Sequence, residues 1–203
     1  MGEPRWLFGD EGLASVAVDA PSVWLVDLND PAVRRRAEAI GLRPEDHRRV
    51  AARMDAGERL IRWRLARLLL ARATTQSPDT VMIDHDEAGA PVVLSPAGWH
   101  LSLAARWPRC LIGIAPTPLG VDLETGTEPL PSDLLTVHER QVAGRDPHRW
   151  AAKEAHAKWT RRPLDLEPAD IDAATPPFVT SRFGTTRCWL YDGGDYAAAM
   201  CTA

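Results

Sequence analysis

Five residues near the middle of the chain, 120–124 (GVDLE), restrict what this sequence can fold into more than any other stretch. Two apolar runs, 110–115 and 119–123, are joined by a proline-containing turn, which predicts two strands. Because side chains alternate along a strand, Asp122 and Glu124 face one side and their apolar neighbours the other. Two carboxylates on one face repel, so the pattern favours a bound hard cation such as Mg²⁺ or Mn²⁺. A solvated strand end explains the same pattern without a ligand.

A second stretch downstream, 150–159 (WAAKEAHAKW), predicts a helix. Ala, Lys and Glu are strong helix formers, and an Asp-Pro pair before them is a start signal. Glu154 and Lys158 are four residues apart and share a helix face. Lys153 and Lys158 are the only lysines among 24 basic residues. Compact ammonium groups in an arginine-rich chain favour a phosphate contact, and the nearby Glu can be a metal ligand or general base. A surface salt bridge is the plainer alternative.

Together, G-V-D-L-E followed by W-A-A-K-E-A-H-A-K resembles the signature of the 4'-phosphopantetheinyl transferases. That signature reads G-[IV]-D-x-E and then, a few dozen residues later, W-[STA]-x-K-E-[AS]-x-x-K. The resemblance implies transfer of the phosphopantetheine arm of coenzyme A to a serine of an acyl or peptidyl carrier protein. It also implies that Asp122, Glu124 and Glu154 hold Mg²⁺, or Mn²⁺, and that Glu154 and Lys158 are the catalytic residues.

The coenzyme A site implied by the resemblance extends beyond the acids. Lys153 and Lys158 are assigned to it, together with Ser102 and Arg62. Ser102 lies in W-H-L-S-L-A, which aligns with the family pattern F-N-[IL]-S-H-S, and Arg62 is the closest match to an arginine that reaches the nucleotide end. Leu103 stands where the family has the histidine that contacts the 3'-phosphate. An ordinary surface role for Arg62 is the alternative.

Two further positions depart from the family pattern. The common G-K-P turn is Gly89-Ala90-Pro91 here, without its basic residue. After the second motif a G-x-G-[IL] loop is expected, and 161–164 (RRPL) stands in its place. Because Gly permits backbone conformations that Arg and Pro do not favour, the local backbone is left open. The metal-binding half of the pattern is thus intact, whereas the nucleotide-binding half is eroded.

The order of predicted elements indicates an α+β protein with antiparallel sheets and packed helices. It suggests two similar halves, 1–115 and 116–203, as in the pseudo-dimeric surfactin-type branch of the family. The elements predicted are strands at 23–28, 81–84, 91–94, 99–103, 110–115, 119–123, 171, 185–191 and 196–201, and helices at 31–40, 44–54, 56–73 and within 131–160.

Composition limits the partners. Net charge is −4, yet residues 34–72 hold twelve arginines against five acids. This block is either a solvated helix face or a surface for an anionic partner such as a carrier protein. Nucleic acid is disfavoured, because no basic motif is interleaved with aromatics. No apolar run is long enough to span a membrane, and we expect no membrane partner.

Three cysteines without a C-x-x-C pair indicate neither zinc nor a disulfide framework, and we expect a cytoplasmic monomer. Isolated histidines such as His156 are expected at the surface or at helix caps. Two functional alternatives stay open. One is a non-catalytic relative that binds coenzyme A or a carrier protein, and the other is a phosphoryl-transfer enzyme with a different donor.

Overall fold

The computed structural model describes residues 2–15, 20–44, 56–125, 130–142 and 147–203. Most of the helix predicted at 44–54 lies outside these ranges. The helix predicted at 56–73 is confirmed, as are the strands around the acidic motif. The strands are β1 (Arg5–Phe8), β2 (Ser22–Asp27), β3 (Met82–His85), β4 (Pro91–Ser95), β5 (His100–Arg106), β6 (Arg109–Ala115), β7 (Leu119–Thr125), β8 (Phe178–Ser181), β9 (Gly184–Asp192) and β10 (Tyr196–Thr202).

Five α-helices lie in the described ranges. They form where the sequence supplies helix starts: the Asp30 side chain, for example, accepts a hydrogen bond from the Ala32 amide at 2.8 Å, with Pro31 as the first helical residue. The helices are α1 (Gly9–Ala14), α2 (Pro31–Glu38), α3 (Ala56–Ala73), α4 (Val137–Val142) and α5 (Pro147–Thr160).

The strands of the described ranges form two four-stranded sheets and one hairpin. The first sheet has the order β1-β2-β6-β5, and the second has the order β7-β10-β9-β8. All pairings are antiparallel except that of β1 with β2, and β3 pairs with β4. The described strands of the first sheet all precede residue 116, and those of the second all follow it. The α+β class with antiparallel sheets is therefore confirmed.

The layers are stacked in the order helix, sheet, sheet, helix. One face of the first sheet packs against α3, and its other face packs against the second sheet. Helix α5 covers the outer face of the second sheet. The contact between α3 and the first sheet includes Trp24, Leu65, Leu69 and Ile112. The contact between the two sheets includes Leu25, Leu111, Val121, Leu123 and Met200. The contact between the second sheet and α5 includes Ala151, Ala155, Ala199 and Cys201.

Gly120 brings α5 unusually close to β7. A Cβ atom at this position would lie 1.9 Å from the carbonyl oxygen of Ala155 and 2.5 Å from the amide nitrogen of Trp159. No other residue type fits without moving the helix, since the obstacles are backbone atoms. The glycine of the first motif thus allows the helix of the second motif to lie directly on the strand that carries the acids.

Among the helices of the described residues, none is both long enough and apolar enough to cross a bilayer. Cys110, Cys188 and Cys201 are all buried free thiols, as the odd cysteine count suggested.

Candidate active site on β7 and α5

The two acids of the first motif face α5, as the alternation along the strand predicts. Asp122 is bonded to a side chain of α5, and its neighbours Val121 and Leu123 are buried between the two sheets. Glu154 of α5 lies close to both acids: its charge raises the pKa of Asp122, and the charge of Glu124 raises the pKa of Glu154. The structure therefore brings together the three acids predicted to hold a metal.

Lys158 is bound directly to the most buried of these acids. Its Nζ donates to Asp122 Oδ1 at 2.6 Å, and the Asp122 side chain is only 4 % exposed whereas that of Lys158 is 29 % exposed. Lys158 lies one turn beyond Glu154 on the same helix face. A lysine that is held by a buried acid and still reaches solvent is suitably placed to meet an anion that enters the site.

Arg106 is a member of the site that the sequence did not reveal. It lies at the end of β5 and forms a two-pronged ion pair with Glu124, with Nη2 to Oε1 at 2.5 Å and Nε to Oε2 at 3.1 Å. Neither motif contains this residue. Only the adjacency of β5 and β7, which belong to different sheets, brings the two side chains together.

The charges of the site act strongly on one another. Burial, together with the negative charges of Glu124 and Glu154, raises the pKa of Asp122 to about 6, although Lys158 opposes the shift. Burial also raises the pKa of Glu154, again against the effect of Lys158. Three carboxylates with two cations, Arg106 and Lys158, leave one formal negative charge, so the site favours an additional positive charge.

The donor set is compatible with a magnesium ion. Asp122 Oδ2 is buried and has no hydrogen-bond partner among the described residues, and Glu154 makes no hydrogen bond to any of them. Oxygen ligands of this kind suit a hard divalent cation. Within the described ranges, however, no three acidic, His or Cys side chains already converge on one point as metal ligands. Lys158 and Arg106 currently hold Asp122 and Glu124.

Lys153, which the sequence analysis assigned to coenzyme A, is not brought together with the acids. Its side chain is 1 % exposed and its Nζ lies 2.6 Å from Glu139 Oε2. The ammonium group also donates to the carbonyl oxygens of Leu134 at 2.8 Å and Pro168 at 2.9 Å. Three protons thus have three acceptors inside the protein. This geometry gives Lys153 a structural role in fastening α5 to α4 and to the segment around residue 168.

Ser102 is likewise bonded within the fold. Its Oγ accepts a hydrogen bond from the backbone amide of Val121 at 3.0 Å, and its side chain is buried. This bond joins β5 of the first sheet to β7 of the second, next to Asp122. The structure therefore places Ser102 beside the acids, where it fixes the strand that carries them.

Arg62 lies on α3, on the helix-covered face of the first sheet. Burial raises the pKa of the Cys110 thiol to about 12, and the positive charge of Arg62 opposes this shift, which places the guanidinium near the start of β6. Leu103 points to the same face, where it packs against the core beneath α3. The assignment of Arg62 to the nucleotide end of coenzyme A stays a prediction.

His156 and the backbone after α5 differ from or complete what the sequence predicts. His156 was expected at the surface or a helix cap, but it is fully buried and bonded to Thr186 Oγ1 and Ser181 Oγ, each at 2.8 Å. The backbone after the second motif, left open by the absence of glycine, turns through Arg161 with φ of 60°. A non-glycine residue therefore adopts the left-handed conformation that ends α5.

Comparison with known proteins found no family model that matches this chain and no curated protein that matches its sequence. The assignment of a function therefore rests on the residues and their geometry.

Proposed function

We propose that this protein transfers the 4'-phosphopantetheine arm of coenzyme A to a serine of an acyl or peptidyl carrier protein, with Mg²⁺ or Mn²⁺. One observation carries the proposal: Asp122, Glu124, Glu154 and Lys158 lie together where α5 crosses β7. These four residues are the ones that the two resembling motifs supply, and they come from separate parts of the chain.

The proposed roles follow from the positions of the side chains. Asp122 and Glu124 from β7 and Glu154 from α5 would hold the ion, which supplies charge neutralisation on the transferring phosphoryl group. Lys158, on leaving Asp122, donates to the phosphate oxygens and stabilises the departing adenosine bisphosphate. Glu154 accepts the proton of the carrier serine as the serine Oγ bonds to phosphorus and the bond between that phosphorus and the oxygen of the leaving phosphate breaks.

The fold supports a chain made of two related halves, 1–115 and 116–203. In each half a long helix, α3 or α5, covers the outer face of a four-stranded sheet, and the inner faces of the two sheets meet. We propose on this basis the pseudo-dimeric arrangement, acting as a monomer. The buried free thiols support a reducing, cytoplasmic setting.

A non-catalytic relative that binds coenzyme A or a carrier protein is the second candidate. One observation favours it: Arg106 and Lys158 already neutralise two of the three acids, as in a site that needs no metal. The two candidates differ in whether the charge network is opened by a metal ion.

Mass spectrometry separates them. An apo carrier protein is incubated with this protein, coenzyme A and Mg²⁺, and its intact mass is recorded. A gain of one phosphopantetheine arm, lost in Asp122→Asn and Glu154→Gln, is the expected result. Full transfer by either variant would refute the assigned roles. If the native protein binds coenzyme A but transfers no arm to any of several carrier proteins, the result would select the non-catalytic relative.

A further inference from the structure

Two of the three cysteines lie opposite each other on neighbouring strands of the second sheet. Cys188 of β9 is the register partner of Cys201 of β10 in an antiparallel pairing. Directly opposite residues of such a pair point to the same face of the sheet, and both side chains lie in the apolar layer that packs against α5. Both are free thiols. The fold therefore brings together two reduced sulfur atoms that have no part in the candidate active site.

The type of pairing determines how close the two cysteines are. The Cys188 amide donates at 2.6 Å to the carbonyl oxygen of Pro177, which immediately precedes β8. This bond points to the side of β9 that faces away from β10. Cys188 and Cys201 therefore form a non-hydrogen-bonded pair, in which the Cα atoms are about 4.5 Å apart and the side chains are closest. A disulfide needs a Cα separation of about 4.4–6.8 Å, so the pair can be bridged within the existing sheet.

The two sulfur atoms already interact in the reduced protein. Burial, and then a hydrogen bond with Cys188, raise the pKa of the Cys201 thiol well above its ordinary value. The Cys201 Sγ also donates to the carbonyl oxygen of Ala152 on α5 at 3.5 Å. Cys201 is thus held as a protonated thiol with its sulfur beside that of Cys188.

A small cavity gives a reagent access to Cys188. Its volume is about 30 Å³, and its lining includes Arg149, Pro177, Phe178 and Cys188. About 10–15 Å³ holds one water molecule, so the cavity has room for a molecule the size of hydrogen peroxide but not for a peptide disulfide. Cys188 is 5 % exposed, whereas Cys201 is fully buried. A small oxidant therefore reaches Cys188 first.

We propose that Cys188 and Cys201 are a peroxide-sensitive pair that forms a reversible disulfide within the folded protein. The Cys188 sulfur attacks one oxygen of hydrogen peroxide, the O–O bond breaks, and the departing oxygen takes up the thiol proton and leaves as water. The Cys201 sulfur then attacks the sulfur of the Cys188 sulfenic acid, the S–O bond breaks, and the departing hydroxide takes up the Cys201 proton. The two thiols are oxidised by two electrons, and the peroxide is reduced to two water molecules.

The bond should be readily reversed. A Cα separation at the short end of the disulfide range strains the bridge, and strained disulfides are the more easily reduced ones. In a reducing compartment such a bond forms transiently, during exposure to the oxidant. Neither cysteine belongs to the candidate active site, so the proposal does not depend on the proposed function.

Mass spectrometry of the full native chain tests the proposal. The folded protein is treated with hydrogen peroxide, unfolded in urea with iodoacetamide and digested with trypsin. Cleavage after Arg187 yields one peptide, 188–203, that contains both cysteines. We expect this peptide to lose the mass of two hydrogen atoms and to take up no alkyl group, and dithiothreitol should restore both alkylations. Cys110, which lies in the first sheet, is the internal control and should remain alkylated.

Two variants separate the roles of the sulfur atoms. Cys201→Ala keeps the thiol that the oxidant reaches and loses its partner, so dimedone should label Cys188 as the trapped sulfenic acid. In Cys188→Ala, Cys201 should remain alkylated after peroxide.

Met82 is 40 % exposed, and its oxidation shows that the peroxide has acted. The proposal is overturned if both cysteines of the native protein remain alkylated once Met82 is oxidised. Oxygen added to Cys188 while Cys201 stays alkylated, or a disulfide that forms only in urea, would overturn it equally.

Discussion

The two lysines of the chain lie only five positions apart, but we expect methionine to have different effects at each. At Lys153 it should lower the stability of the fold, and at Lys158 it should abolish transfer. Lys153→Met removes a cation that is 1 % exposed from a carboxylate, Glu139, that is fully buried. Removing one partner of a buried ion pair leaves an uncompensated charge and costs about 3–5 kcal/mol. We therefore expect the free energy of unfolding to fall by about that amount, a large share of the stability of an ordinary domain.

The magnitude follows from how completely the pair is bonded. Besides Lys153, the Glu139 carboxylate accepts hydrogen bonds from the backbone amides of Thr136 at 2.7 Å and Ala173 at 3.0 Å. These bonds hold Glu139 in place, so it cannot turn toward water when the lysine is lost. The neighbouring segments, which the ammonium group ties to α5, would also lose contact with that helix.

Urea unfolding followed by circular dichroism measures the effect, with Lys158→Met as the matched control. Lys158 is 29 % exposed, and its partner Asp122, whose pKa is raised to about 6, can take up a proton when the lysine is lost. The free energy of unfolding should therefore fall by less than about 2 kcal/mol, while transfer is abolished. Folded Lys153→Met protein should retain transfer activity. The reasoning would be refuted by a Lys153→Met protein as stable as the native one, or by a folded variant that had selectively lost affinity for coenzyme A.

Three further outcomes are expected. Gly120→Ala should lower the free energy of unfolding by at least about 1–3 kcal/mol, because its Cβ collides with the Ala155 carbonyl; Gly57→Ala, with open space around it, should change stability by less than about 1 kcal/mol in the same urea assay. Burial lowers the pKa of His156 to about 4, below the ordinary histidine value of about 6.5. As the pH falls, the unfolded chain therefore takes up a proton before the native protein does, and native stability should fall by about 3 kcal/mol between pH 6.5 and 4. His156→Gln should flatten that slope in pH-dependent melts. Millimolar Mg²⁺ should raise the Tm of the native protein more than that of Asp122→Asn, and equal shifts would argue against a metal at this acid.

The sequence was sufficient for features that depend on local geometry. Alternation along a strand placed Asp122 and Glu124 on one face, and helical spacing placed Glu154 and Lys158 on one face. The packing of these two faces against each other, through Gly120, was implied by the resemblance and not by either pattern alone. Short elements such as β1 were not predicted, because four residues carry little periodicity and their parallel pairing with β2 is set by tertiary contacts.

Local sequence patterns could not predict side-chain contacts between residues that are distant in the sequence. Arg106 meets Glu124 because β5 and β7 adjoin where the two sheets meet, which no local signal encodes. One sequence pattern indicates the buried acid that binds Lys153. Thr136 and Glu139 form a capping box, with reciprocal hydrogen bonds at 2.7 and 3.0 Å, and its T-x-x-E spacing marks an acid that is held against a helix start.

The order of strands in the second sheet has a consequence for how the chain acquires its structure. β10 is the last strand in the sequence, yet it lies in the interior of the sheet between β7 and β9. The first sheet can pair fully once residue 115 has left the ribosome, whereas β7 must wait for residues 196–202. Until then β7 is the one described strand of the second sheet that can cover the apolar inner face of the first sheet without a later strand, and the uncovered part of that face exposes a nascent chain to aggregation.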